Sequence, residues 1–589
     1  MAGFLWHIGN TTVRTPYRLK EALQVLKNSE FHGNLLGTER EEGFAKLLHE
    51  KEILNASRIN QEETATGTGD LGRKWRSALG QLGFVAMHLT RGLNQPIDPQ
   101  IKQFITLTKF PGLSGMPYEI TPNGHRLIQA ESTAEQQECF LRALAAYKIP
   151  SIFEERYDCS PFSPLRFVLQ ILLALEKNGA EAVIGFDEMA LFVQRRTPDD
   201  GLEKVVAEIL TSREARNKSG NKKKFDANRL LEAGEGKEEK AGTLKDYADL
   251  NFRYLKATGL FQARGRGIIL MPEKHTLCEL LVAEVEQIYN KANYVNTLWS
   301  GARLPTDDKI KAIEVIHNLS GQLEKYGEKL EIRDITGQSV EELSQYRYRL
   351  EERLRRQKER VFATEQAGHW QDIAESMNAF KGSRGKIVLP NGEMGSIPGG
   401  EAPAYFEWII WRAFLAIDSL TNMPWEARKF KIDQDFLPLS HAPAGGPDMV
   451  FEFEEFVLVV EVTLSSSSRQ EAVEGEPVRR HVAEIAETFE NTDKKVYCLF
   501  ISINIDSNTA ETFKIGNWYK KDNTRLPLQI VPVTLDDFSE LFSAGFKTGR
   551  PDPMKIRQFL LECRAMSNKD APEWKKAIHN EVKKIAARL

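Results

Sequence analysis

The sequence has few of the features that would place it quickly. Among 589 residues there are five cysteines. Cys139, Cys159, Cys278, Cys498 and Cys563 are far apart and form no CxxC pair, which excludes a zinc ribbon and a disulfide framework and fits a reducing cytosol. No apolar run approaches the length of a membrane span, and the opening MAGFLWHIGNTTVR lacks the long apolar core of a secretory signal; the expectation is a soluble, unprocessed protein. There is also no excess of one charge: 79 basic residues against 83 acidic give a net charge of −4. That argues against holding nucleic acid by bulk positive charge, but not against a protein that segregates a phosphate-binding face from a metal-binding one.

The length present suggests three or four domains. Leu19, Leu23 and Leu26, then Phe44, Leu47 and Leu48, recur at helical spacing, so residues 14–53 read as mostly helical. LGRKWRSALGQLGFV (71–85) reads as a helix ending at Gly83, and YEITPNGHRLIQA (118–130) as a strand, a Pro-Asn-Gly turn and a helix. Residues 244–282 repeat the theme: a helix runs into GLF, then a hairpin with Arg-Gly-Arg-Gly at its tip, then a proline and a helix. Both copies suggest winged-helix modules, a common DNA reader that sets a helix in the major groove and a basic wing on the backbone. Arg73, Lys74 and Arg76, and Arg264 and Arg266 on the wing, are the candidate phosphate contacts. Lys222, Lys223 and Lys224 read equally well as a solvated loop. Between the copies, 164–179 is a strongly apolar helix. Residues 306–378 look like a helical connector broken near Thr336 and Gly337, and the Gly- and Pro-dense 381–403 like a loop or small hairpin.

The most informative stretch is PDMVFEFEEFVLVVEVT, 447–463. A turn at Glu454 and Glu455 makes it a hairpin in which Asp448 faces Glu461, with Cβ atoms about 4.5–5.5 Å apart. Two carboxylates that close on an apolar strand pair repel one another, and a divalent cation would remove the penalty. The period of two puts Glu461 and Thr463 on one face and Leu458, Val460 and Val462 on the other, toward a core. On spacing alone, a solvated hairpin whose acids simply face water is the favoured reading. Upstream, Phe406, Ile409, Ile410, Ala413, Phe414 and Ile417 form a helical stripe after Pro403, with Glu407 on its flank. Downstream, 494–505 and 524–542 read as strands, the second entering a helix capped near Thr534 or Asp536. The tail EWKKAIHNEVKKIAARL reads as a basic amphipathic helix.

FEWIIWRAF before the hairpin, HAPAGGPDM leading into it and GEPVRRH after it make residues 404–500 resemble the catalytic region of the AlwI family of type IIS restriction and nicking endonucleases, a branch of the PD-(D/E)XK nuclease superfamily. The resemblance extends more thinly along most of the chain. It implies that Asp448 and Glu461 ligate Mg²⁺, one ion or two, with the backbone carbonyl of Val462 as a third oxygen. It also implies that Glu407 and His481 join the catalytic site, with His481 placed just before a helix. Thr463 stands where the superfamily usually has lysine. Arg479 and Arg480 are weaker phosphate candidates.

The resulting expectation is a multidomain chain: a mainly α N-terminal DNA-recognition region of winged-helix-like modules (1–135 and 136–290), a helical linker (291–395) and an α/β PD-(D/E)XK-type catalytic domain (396–589). Its function would be Mg²⁺-dependent hydrolysis of double-stranded DNA outside an asymmetric site, in a bacterial cytoplasm. A second copy or a small catalytic subunit would serve the second strand. The alternatives are a winged-helix DNA-binding regulator with an inactive nuclease-like domain, and a metal-dependent hydrolase of another phosphate ester.

Overall fold

The computed structural model describes residues 4–54, 67–87, 113, 116, 118–153, 157–284, 290–330, 334–381, 385–398, 400–443, 445–465 and 469–588. The chain is mostly helical with small sheets and divides into two compact units, Met1–Leu354 and Arg355–Leu589. Among the described residues no helix is long and apolar enough to cross a membrane.

In the first unit, the leucine and phenylalanine spacings produce helices Arg18–Lys27 and Thr38–Glu50, with Leu19, Leu23, Leu26, Phe44 and Leu48 buried. Helix Gly67–Gln81 ends just before Gly83, whose φ of +71° is a left-handed conformation glycine adopts without a Cβ clash. The expected Pro-Asn-Gly turn is not a turn. Pro122 begins helix Pro122–Gln129, and Thr121 caps it by accepting from the Gly124 N–H at 3.1 Å. Proline at the first helical position lacks only an N–H that would be orphaned there anyway. The strand before it shrinks to one bridge, Val85 to Ile120; residues 88–112 of this first copy lie outside the described residues.

In the second copy helix Glu238–Ala257 is followed by Gly259, again left-handed at φ +71°. The hairpin then forms where expected, Phe261–Arg264 against Gly267–Leu270, with Arg264 paired to Gly267 across the tip. Its second strand takes Ile184–Gly185 as a third partner. Lys222–Lys224 are not a loop: they form the first turn of helix Lys222–Ala233, capped by Asn221.

Of the stretch 291–395, residues through Leu354 belong to the first unit and those from Arg355 to the second. It contains helices Lys309–Glu324 and Val340–Glu365, interrupted near Thr336 and Gly337 as the sequence pattern predicts. Of the expected loop 381–403, residues 382–384 and 399 lie outside the described residues; the rest includes a small hairpin, Lys386–Val388 with Met394–Ser396.

The second unit is organised around a four-stranded sheet in the order Ile530–Thr534, Lys495–Ser502, Phe456–Thr463, Met449–Glu452. The first three strands are parallel and the last is an antiparallel edge. Parallel strands need helical crossovers that cover the faces, and helix Gln470–Thr488 makes one of them. Both faces are therefore dry. Val457 and Val459, on the face shared with Glu461, are as fully buried as Leu458 and Val460, while Val462 is only half-buried. The expected split into a core face and an open acid face is corrected accordingly.

Candidate active site

The register expected for the hairpin is the one observed. Met449 pairs with Val460 and Glu452 with Val457, and the Phe453 N–H donates to the Phe456 carbonyl at 2.9 Å, closing the turn at Glu454 and Glu455. Extending the register by one residue sets Asp448 opposite Glu461. The Val462 N–H donates to Asp448 Oδ2 at 2.8 Å, and the Asp448 N–H approaches Glu461 Oε2 at 3.4 Å. In an extended strand the N–H and C=O of one residue point to the same edge. The carbonyl of Val462 therefore points beside Asp448, past the start of the edge strand.

Glu407 comes from helix Ala402–Ile417, which is buried on every side from Ala404 to Ile417. The flank position read from the apolar stripe is thus interior. The helix tolerates this because its polar groups are satisfied: Trp408 Nε1 donates to the Phe436 carbonyl, Trp411 Nε1 to the Pro424 carbonyl, and Arg412 Nε to Gln366 Oε1. Glu407 is 5% exposed and its Oε2 accepts from the Ala442 N–H at 2.8 Å. Ala442 lies in the HAPAGGPDM segment that leads to Asp448, so one loop ties the helix acid to the hairpin acids.

His481 does not precede a helix; it lies within Gln470–Thr488. The helix runs through Pro477 of GEPVRRH, which cannot donate to the Val473 carbonyl. His481 Nδ1 lies 2.8 Å from Glu461 Oε1. With Glu461 ionised, Nδ1 carries the proton, and the buried Nε2, which has no hydrogen-bond partner among the described residues, keeps its lone pair.

Electrostatically the cluster is uncompensated. Burial, then the neighbouring Glu461 carboxylate, pushes the Asp448 carboxyl well above the carboxylate range. Burial and then Asp448 do the same to Glu407. Burial raises Glu461 despite the Asp448 N–H, with Glu474 adding to the rise. Burial, then Arg480, lowers His481 and favours its neutral form. Among the described residues no group of three or more His, Cys, Asp or Glu side chains forms a metal cage by itself. The oxygens on offer for a cation are two facing carboxylates and one carbonyl, a donor set suited to a hard ion that keeps waters.

Glu474 is a site residue that the sequence pattern does not single out. It lies seven residues before His481 on the same helix, two turns away and so on the same face, and it acts on both Asp448 and Glu461. Only the extent of the helix would have revealed it. Thr463, in the position of the usual lysine, accepts from the Ser465 N–H at 3.1 Å and closes the turn after the strand. Arg479 donates to the Gly475 carbonyl and Arg480 to Glu476, so both are engaged along their own helix.

Of the DNA-contact candidates, Arg264 and Arg266 stand exposed at the hairpin tip, at 67% and 61%, with long contacts to Glu181 and Asp187 and with Arg266 over the Phe186 ring at 5.4 Å. Arg73 and Lys74 share Asp70 on the surface of their helix. Arg76 is turned inward, paired with the buried Glu41 and held over the Tyr118 ring. Its charge is used inside the fold.

A family model described as AlwI restriction endonuclease matches residues 92–541, well over half of the chain. The protein is therefore a restriction-type DNA endonuclease. It belongs to the AlwI restriction endonuclease family. No curated protein matches the chain. Among solved structures, it is similar to the small subunit (R.BspD6I2) of the heterodimeric restriction endonuclease R.BspD6I, with 26% identity and a TM-score of 0.28 over 36% of this chain and 98% of that one. It is also similar to the BpuJ1 endonuclease binding domain, solved in complex with pyrene- and phenanthrene-modified DNA, with 13% identity and a TM-score of 0.24 over 44% of this chain and 75% of that one.

Proposed function

We propose that the chain is a type IIS restriction endonuclease or a strand-specific nicking endonuclease that hydrolyses phosphodiesters outside an asymmetric recognition sequence, with Mg²⁺ as cofactor. The observation that carries this is the facing of Asp448 and Glu461 in a buried site where, among the described residues, no lysine or arginine pairs with them. Asp448, Glu461 and the Val462 carbonyl would hold the ion. When bound there, Mg²⁺ lowers the pKa of a coordinated water and offsets charge on the scissile phosphate.

The chain's own residues have definable tasks. The Val462 N–H fixes Asp448, and the Ala442 N–H fixes Glu407. His481 orients Glu461 through Nδ1 and offers Nε2 as a proton acceptor. Winged-helix-like modules in the first unit would read the DNA, with Arg73, Lys74, Arg264 and Arg266 on phosphates, and the second unit would cut. One constellation cuts one strand, so double-strand cleavage calls for a second copy or a small catalytic subunit.

The test is incubation with Mg²⁺ and supercoiled plasmid, followed by sequencing of the ends. Open-circle or linear product at fixed positions on one side of a common sequence is expected, and loss of cleavage with binding retained in Asp448→Ala and Glu461→Ala. Full activity in either variant overturns the metal assignment. Site-specific binding without cleavage by the wild type would instead identify a DNA-binding regulator.

A further inference from the structure

The first unit contains a basic cleft that neither the wing nor the helix 67–81 accounts for. It measures about 630 Å³ and lies between helices Leu202–Lys218 and Lys222–Ala233, with Arg195 in its lining. The two helices form a hairpin closed by a fork: Arg216 Nε and Nη2 grip both oxygens of Asp226 at 2.7 to 3.0 Å. Arg196 is engaged by Glu208. Arg195, Lys204 and Arg229 line the same cleft without an ion-pair partner among the described residues.

Arg229 is pre-positioned. Its guanidinium sits 5.8 Å from the ring centroids of both Phe192 and Phe225, which fixes the side chain while leaving its N–H fork available to an anion. Two acids share the lining, Glu208, which is taken up by Arg196, and the exposed Glu232, against four cations.

The charge continues along the hairpin. Lys204, Thr211 and Lys218 recur every seven residues on one helix, and Lys222 and Arg229 do so on the other, so each set shares a face. Lys204 to Lys218 spans about 21 Å at 1.5 Å per residue. A small anion would need one point of such a row, whereas a nucleic-acid strand presents a phosphate at about every 3.4 Å of duplex axis.

We propose that this cleft is a backbone-phosphate track for double-stranded DNA, with Arg195, Lys204 and Arg229 seating the strand and Lys218 and Lys222 extending it. The proposal rests on the nuclease reading above. It adds to the DNA-binding surface of the first unit a set of cations other than those of the wing.

The experiment measures binding of a 30-base-pair duplex of random sequence to the full chain in EDTA, across a salt series. The variants are Arg195→Gln/Lys204→Gln/Arg229→Gln and the surface-only Lys218→Gln/Lys222→Gln, whose exposed side chains carry no fold. The log–log salt slope is expected to flatten by about 0.9 for each phosphate that is no longer neutralised, so by about 2 to 3 in the triple variant. Lys218→Gln/Lys222→Gln should flatten it by about 1 to 2. Glu232→Gln should shift affinity the other way, tighter at every salt concentration. Wild-type slopes in both cation variants overturn the track and leave the nuclease reading standing. A wild-type protein that does not bind the duplex overturns both.

Discussion

Two clusters of buried carboxylates in this protein behave in opposite ways. In the first unit Glu138 and Glu351 are as buried as the acids of the candidate site, but each meets cations: Arg347 touches both, Arg142 joins Glu138 and Lys274 joins Glu351. Burial pushes Glu138 up, yet Arg347 and Arg142 outweigh it and hold the carboxyl at about 2. Glu351 is likewise lowered, by Lys274 and Arg347 against burial. In the second unit Asp448, Glu461 and Glu407 meet, among the described residues, N–H groups and a neutral histidine, and all three are raised. The same burial marks structure where it is compensated and a site where it is left open.

The largest effect expected from this contrast is on chemistry. Asp448→Ala or Glu461→Ala should lower plasmid cleavage by about 10³-fold or more, with DNA affinity in EDTA unchanged. Arg347→Met attacks the compensated cluster instead. It should cost about 3–4 kcal/mol at neutral pH in urea unfolding, because two buried carboxylates are deprived of a guanidinium, and leave the Mg²⁺ dependence of cleavage alone.

The pH dependences should have opposite signs. Glu138 has a folded pKa below its ordinary 4.5, so its contribution is present above that value and is lost as pH falls from 4.5 toward about 2. The site acids have folded pKa values above the ordinary range, so without metal their contribution is full below it and is lost as pH rises through the raised values. His481→Asn should raise the Mg²⁺ needed for half-maximal cleavage by about 10–100-fold, since it orients a ligand. The smallest effect is a gain. Asp448→Asn, freed of the repulsion, should stabilise the metal-free protein by about 1–2 kcal/mol at neutral pH, and calorimetry should show that gain growing as pH rises above the ordinary carboxylate range.

The parts of this site governed by local rules were legible in the sequence. A period of two and a two-residue turn specify which residues face each other, so the opposition of Asp448 and Glu461 followed directly. The caps followed too, with Thr534 accepting from the Asp537 N–H. What tertiary packing decides was not legible. Glu407 reads as a flank residue because an amphipathic stripe says nothing of a helix covered on all sides. His481 and Glu474 were separated by Pro477, whose local preference was overridden by packing of the helix against the sheet. Arg76 has the spacing of a surface cation, and only the approach of Glu41 and Tyr118 turns it inward.

The central claim is that the uncompensated acids are completed by a cation. Calorimetric unfolding of the wild type and Asp448→Asn across a Mg²⁺ series without DNA tests it most directly. The account predicts that wild-type Tm climbs steadily with the logarithm of Mg²⁺ concentration, while Asp448→Asn starts higher and stays flat. Equal climbs in both proteins, or none in the wild type, would contradict it.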